Sequence, residues 1–195
     1  MKNIYTLLSI LIISLTVYLS FDDLMPSSVK SIESTGFSLD NALNHLKVIS
    51  KEPHYTGSKY HQDVQNYIVN ELKKMGLETE IQNQVVLSSR RVGTNAANII
   101  GTIKGSRKGK SLVLLTHYDS SAHSSFGASD AGSGVVTILE GFRAFLLNNN
   151  TPVNDIHLVF TDAEEMGLLG AEAFVKNHKL IDNVGLVLNF EARGS

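Results

Sequence analysis

Three largely apolar runs, at residues 112–116, 156–161 and 185–190, limit what this chain can fold into more than any other feature. A half-buried strand alternates apolar and polar side chains, whereas a strand covered on both faces reads as a continuous run. Two further strands are expected at 78–86 and 96–103. Helical spacing fills the intervals. Ser38 can cap a helix carrying Ala42, Leu43, Leu46 and Ile49, and a second helix sets Val64, Tyr67, Ile68, Leu72 and Met75 on one face before stopping at Gly76. Others are expected over about 132–147 and 168–177. This alternation predicts an α/β fold with three α/β/α layers around a mixed, mostly parallel sheet.

With 43% hydrophobic and 18% charged residues among 195, the chain has material for one globular domain and is not disordered. It contains no cysteine, which excludes disulfides, thiolate nucleophiles and Cys-ligated zinc. Any metal must therefore be held by His, Asp and Glu. A net charge of −2 gives no reason to expect nucleic acid, and the basic cluster Lys104, Arg107, Lys108 and Lys110 reads as a solvated, glycine-rich turn.

The N-terminus is a separate object, a hydrophobic helix. From Ile4 to Phe21 no residue is charged, Lys2 precedes the run, and Asp22 and Asp23 follow it, an arrangement that places the rest of the chain outside the cytoplasm. Thr6, Ser9, Ser14 and Thr16 dilute a run already short for a membrane span, so a cleaved signal peptide competes with an anchor. Tyr18, Leu19 and Ser20 lack the small-x-small cleavage pattern, which favours the anchor. The expected division is an anchor or signal at 1–21, a polar linker with Pro26, Ser27, Ser28 and Ser34 at 22–37, and a domain at 38–195.

The residues after each buried run carry the chemistry. LVLLT is followed by His117-Tyr118-Asp119, IHLVFT by Asp162-Ala163-Glu164-Glu165, and GLVLNF by Glu191. Asp130 sits in a glycine-rich turn at the start of the helix expected from about residue 132. Singly, each has a plain explanation: a helix cap, a strand-end polar group, or a carboxylate near a helix dipole. Ligands of open α/β sheets bind beyond the carboxyl ends of the strands, so four such groups there point together to a metal site.

At this point LLTHYDSS, GASDAGSG, VFTDAEEMGLLGA and LNFEARGS, in order and spacing, resemble the zinc-binding blocks of co-catalytic zinc exopeptidases of the bacterial leucyl aminopeptidase type. The spacing is similar to the branch containing membrane-anchored vacuolar and endoplasmic-reticulum peptidases. His54-Tyr55-Thr56-Gly57-Ser58 resembles that family's HPTGS stretch, with Tyr55 in place of proline, and the likeness runs from about Asp40 onward.

The resemblance implies two zinc ions per complete domain. His117 and Glu191 would complete the first site, Asp130 would bridge the two ions, and Glu165 would bind the second, while Asp119 would orient His117. Glu164 would be the general base for a metal-bridged hydroxide that hydrolyses a peptide bond. Glu191 stands where many relatives have aspartate. The resemblance also implies a cis bond after Asp130. His123, Ser124 and Ser125 read as loop polars and receive no role.

The function expected is a zinc-dependent, aminopeptidase-like exopeptidase acting on peptides, membrane-anchored through residues 4–21 or secreted. Glutaminyl cyclase-type activity with one zinc and a non-catalytic, peptidase-like binding module are the alternatives. The family's second-zinc histidine comes from well downstream of the Glu191 strand, whereas only Ala192, Arg193, Gly194 and Ser195 follow it here, and His45, His54, His61, His123, His157 and His178 match no ligand block. The expectation is therefore a domain truncated at its C-terminus, holding at most one zinc tightly and exposing the last strand's hydrophobic edge.

Overall fold

The computed structural model describes residues 2–24, 36–87, 91–123 and 125–192, which form parts of two compact units, 1–31 and 32–195. In the first, α1 (Lys2–Leu24) extends the expected run at both ends. Its Ile4–Phe21 window has a mean hydropathy of 2.1 and is long and apolar enough to cross a membrane. At 1.5 Å per residue, 23 residues rise roughly 34 Å, against a hydrocarbon core of about 30 Å. Most of the expected linker lies outside the described residues.

The second unit contains α2 (Leu39–Ile49), α3 (Lys59–Lys74), β1 (Glu78–Leu87), β2 (Gly93–Ile103), β3 (Ser111–His117), α4 (Gly134–Leu147), β4 (Ile156–Thr161), α5 (Leu169–Asn177) and β5 (Val184–Asn189). Ser38 caps α2 through the Asn41 N–H as its sequence predicts, and Ser58 caps α3 through His61. The strands form one sheet in the order β1-β2-β4-β3-β5. β3 runs parallel to β4 and β5, β2 is antiparallel to both β1 and β4, and so four strands point one way. The mixed, mostly parallel sheet expected from the sequence is observed.

Side-chain alternation along the strands divides the core. Ile99, Leu158 and Phe160 face α2, α3 and α4, packing with Ile49, Ile68, Leu72, Val135 and Leu139. Ile100, Val113 and Val159 face the other way, against Phe174 of α5 and the 3-10 turn Lys179–Asn183. Each such Leu, Ile, Val or Phe contributes about 1.5–3 kcal/mol by leaving water. The three-layer expectation is thereby met.

β3 and β4 are covered on both faces, as continuous apolar runs should be. β5 is not: Leu186, Val187 and Leu188 are 56%, 47% and 43% exposed. It is an edge strand paired only with β3 among the described residues, and its side chains on both faces stand partly open to solvent. Gly134 brings α4 against the sheet, because a Cβ there would meet the Thr116 hydroxyl and lie 2.9 Å from the Phe190 carbonyl.

Glu140 joins α4 to the start of α2. Its buried carboxylate accepts the Ser38 N–H at 2.7 Å and the Arg143 guanidinium. Burial alone would raise the Glu140 pKa, but Arg143 and the Ser38 amide together hold it below the ordinary 4.5. A depressed carboxyl stabilises the fold above its unfolded pKa, and that stability is lost as pH falls through the lower folded value. Glu140→Ala leaves the Ser38 N–H without its acceptor, while Arg143 keeps the Gly36 carbonyl and access to water, and should cost about 1–2 kcal/mol. Urea melts of both forms should differ by this amount at pH 7 and converge under acid.

Candidate metal centre

Strand register brings the first residues together. In the parallel β3/β5 pair Leu115 lies opposite Asn189, and the Phe190 N–H donates to the Leu115 carbonyl at 2.8 Å. Two residues further along each chain, His117 and Glu191 come abreast. Asp130 arrives from the turn Ala128–Ser133, where its φ of −113° and ψ of 104° break the helical path, and the Asp130–Ala131 bond is cis, as the family resemblance implies.

His117 is the hub, its side chain only 1% exposed. Its Nε2 lies 2.8 Å from Asp130 Oδ1, 3.5 Å from Glu191 Oε1 and 3.9 Å from Glu164 Oε2. Its Nδ1 faces Asp119, 3.1 Å from the backbone carbonyl and 3.4 Å from Oδ1. Nδ1 thus has an acceptor for its proton, which leaves Nε2 to face the carboxylates.

Asp119 also positions the adjacent glutamates. Its Oδ1 accepts the Glu164 N–H at 3.0 Å and its Oδ2 the Glu165 N–H at 3.3 Å. Successive amides converge on one carboxylate because Ala163 adopts a left-handed conformation, φ 54°, which is strained for a non-glycine residue. Asp162 holds that residue: its Oδ1 accepts the Ala163 N–H at 2.7 Å, the Thr56 hydroxyl at 2.9 Å and His61 Nε2 at 2.9 Å, and its Oδ2 accepts the Ala97 N–H at 2.9 Å.

Electrostatics mark the point where a cation belongs. Burial disfavours the His117 imidazolium, yet the Asp119 hydrogen bond and the charges of Asp119, Glu164 and Glu191 outweigh it and push the pKa to about 9. The Glu164 pKa is raised by burial first and, against the pull of His117, by the charges of Asp119, Glu191 and Asp130. Glu165 is raised by burial, then by Asp130, Glu164 and Asp119.

The donor set fits zinc. One ligand atom from each of His117, Asp130 and Glu191 lies within 4.8 Å of the other two. An imidazole and two carboxylates leave open the fourth position that catalytic zinc sites keep. Glu165 stands outside this group of three, at the wall of an adjoining cavity of about 340 Å³ that it lines with Tyr55, Thr56, Asp119 and Met166. None of the other six histidines joins a metal-ligand cluster among the described residues.

Zinc must displace the His117 proton, so apparent zinc affinity should rise with pH up to about 9. Calorimetric titration in buffers of different ionisation enthalpy at pH 7 should show a proton released from this residue. The metal-free protein behaves in the opposite sense: with His117 raised from 6.5, its stabilisation is full below 6.5 and is lost as pH rises through about 9.

Of the residues singled out from the sequence, the structure gathers His117, Asp119, Asp130, Glu164 and Glu191, with Glu165 at the rim. Sequence reasoning gave no role to Asp162, Thr56, His61 and Ala163. Thr56 lay in a stretch already noticed for its family likeness, and Asp162 in the run after β4, but nothing in the sequence announces that they bond to each other.

Peptidase family M28 matches this chain over residues 98–195. The vacuolar membrane protease of Candida albicans (strain WO-1) is 32% identical over 200 residues, covering 100% of this chain and 23% of the relative. That of Schizosaccharomyces japonicus is 33% identical over 175 residues, covering 84% and 20%. The chain therefore spans less than a quarter of the length of these curated relatives. Among solved structures, Porphyromonas gingivalis glutaminyl cyclase superposes with a TM-score of 0.71 at 22% identity, covering 82% of this chain and 60% of that one. A Zn-dependent exopeptidase from Parabacteroides distasonis gives 0.68 at 24%, covering 82% and 63%. At these identities the two structures establish the fold.

Proposed function

Since the chain belongs to peptidase family M28, we propose that it forms the metal-binding part of a membrane-anchored, zinc-dependent exopeptidase of aminopeptidase type, acting on peptides outside the cytoplasm. The observation that carries this reading is the convergence of His117, Asp130 and Glu191, with the Glu164 carboxylate 3.9 Å from the same imidazole nitrogen. His117, Asp130 and Glu191 would hold one zinc, and Asp130 and Glu165 would contribute to a second. When bound, the metal supplies Lewis acidity for a substrate carbonyl and for water.

The protein's own groups do the rest. Glu164 takes a proton from water and returns it to the departing amine, for which its raised pKa suits it. Asp119 fixes the His117 tautomer and, through two amides, the placement of both glutamates. Carboxylates crowd this end of the sheet, and among the described residues neither Lys nor Arg lines the adjoining cavity, which favours a substrate's α-ammonium over its α-carboxylate.

A second reading, glutaminyl cyclisation, is favoured by the grouping of three donors around one position with Glu165 apart. The purified full-length protein, loaded with zinc, should release the first residue from an unblocked peptide and leave its N-acetylated form intact. Ammonia and pyroglutamyl peptide from a glutaminyl substrate, with no free amino acid, would establish the cyclase reading instead. Neither product would dismiss both.

A further inference from the structure

His61, in the first turn of α3, lies outside the group of three metal donors, yet its buried imidazole touches both strand ends that build the site. Its Nε2 donates to Asp162 Oδ1 at 2.9 Å. Its ring lies against that of Tyr118, with centroids 4.9 Å apart and planes 18° from parallel. Tyr118 is the residue between His117 and Asp119. Asp162 precedes Ala163, whose left-handed backbone turns the Glu164 and Glu165 amides onto Asp119.

A circuit of contacts closes through Ala97 of β2. The Tyr118 hydroxyl donates to the Ala97 carbonyl at 2.9 Å, and the Ala97 N–H donates to Asp162 Oδ2 at 2.9 Å. Gln65, one turn further along α3, donates to the Tyr118 hydroxyl at 3.2 Å. A buried histidine is ordinarily a satisfied core group, but two features set this one apart. The helix has another hold on the sheet, since Ile68 and Leu72 pack in one cluster with Ile99, Leu158 and Phe160. The strain at Ala163 is also spent on the site, because its effect is to aim two successive amides at one carboxylate.

We propose that His61 is a positioning residue for the hydrolysis, a brace that fixes the turn at Asp162–Glu165 against the one at His117–Asp119. It thereby sets the Glu164 carboxylate at its 3.9 Å from His117 Nε2. This role in hydrolysis rests on the peptidase reading above, whereas the hold on the turn does not. An error of about 1 Å in placing a reacting group costs on the order of 100-fold in rate.

Two variants of the zinc-loaded full-length protein separate the contacts. His61→Phe keeps a ring on Tyr118 and loses the hydrogen bond, whereas His61→Gln keeps a donor and loses the ring. The first should lower kcat about 10–100-fold with KM and zinc content unchanged, and the second should stay within a few-fold of wild type. Backbone amide exchange locates the effect without any turnover. In His61→Phe the Glu164 and Glu165 amides should exchange on the order of tenfold faster, while those of Val113 and Val159 in the sheet keep the wild-type rate. A kcat within a few-fold of wild type in His61→Phe, a Gln variant as slow as the Phe variant, or exchange that is unchanged at 164 and 165 or faster throughout the domain would overturn the proposal. Failure of His61→Phe to fold would make the histidine a core group and overturn it as well. A wild type that hydrolyses no peptide would remove the peptidase reading, and the exchange pattern alone then decides for the brace.

Discussion

Asp130→Ala removes tight zinc binding. The carboxylate sits 2.8 Å from His117 and belongs to the group of three donors, so its loss leaves two ligands on two strand ends. If four ligands contribute about 10–16 kcal/mol, each is worth roughly 3 kcal/mol, and affinity should fall on the order of 10²–10³-fold. The Asp130 side chain is 43% exposed, so its truncation opens no buried cavity and circular dichroism should be unchanged. Metal content after dialysis against a weak chelator is the measurement. Zinc retained at the wild-type level would remove Asp130 from the site.

Glu164→Gln should do the reverse, keeping metal and losing turnover. The amide preserves shape and the backbone hydrogen bond to Asp119 but can carry no proton, and general acid–base catalysis is worth about 10²–10⁴-fold. Full-length wild type and variant should therefore bind zinc alike while peptide hydrolysis, normalised to zinc content, drops by that factor. Activity within a few-fold of wild type would exclude Glu164 as the base.

The layers and the strand-end groups were legible because each rests on a local signal. Buried strands read as apolar runs, Ser38 as a cap, and a His or carboxylate after a covered strand as a crevice residue. What the sequence left unread depends on pairing across distance. Asp162 gains its role only when residues 56, 61 and 97 meet it. Alanine at 163 gives no hint of its left-handed backbone, because that conformation is imposed by the Asp162 and Asp119 contacts on either side. The apolar run of β5 signals a strand covered on both faces, whereas among the described residues Leu186, Val187 and Leu188 are exposed, because coverage depends on neighbours that a run of residue types does not specify.

The ladder that sets Glu191 beside His117 gives the third ligand a second role. His117 ends β3 and Glu191 follows β5, so the ligand set spans two strands held in register by their parallel pairing. Any opening between these strands separates the donors, and the apparent dissociation constant for metal rises in inverse proportion to the paired population. By reciprocity, every increment of binding energy is also an increment holding the two strands together. Zinc would act here as a clasp across the ladder as well as a reagent.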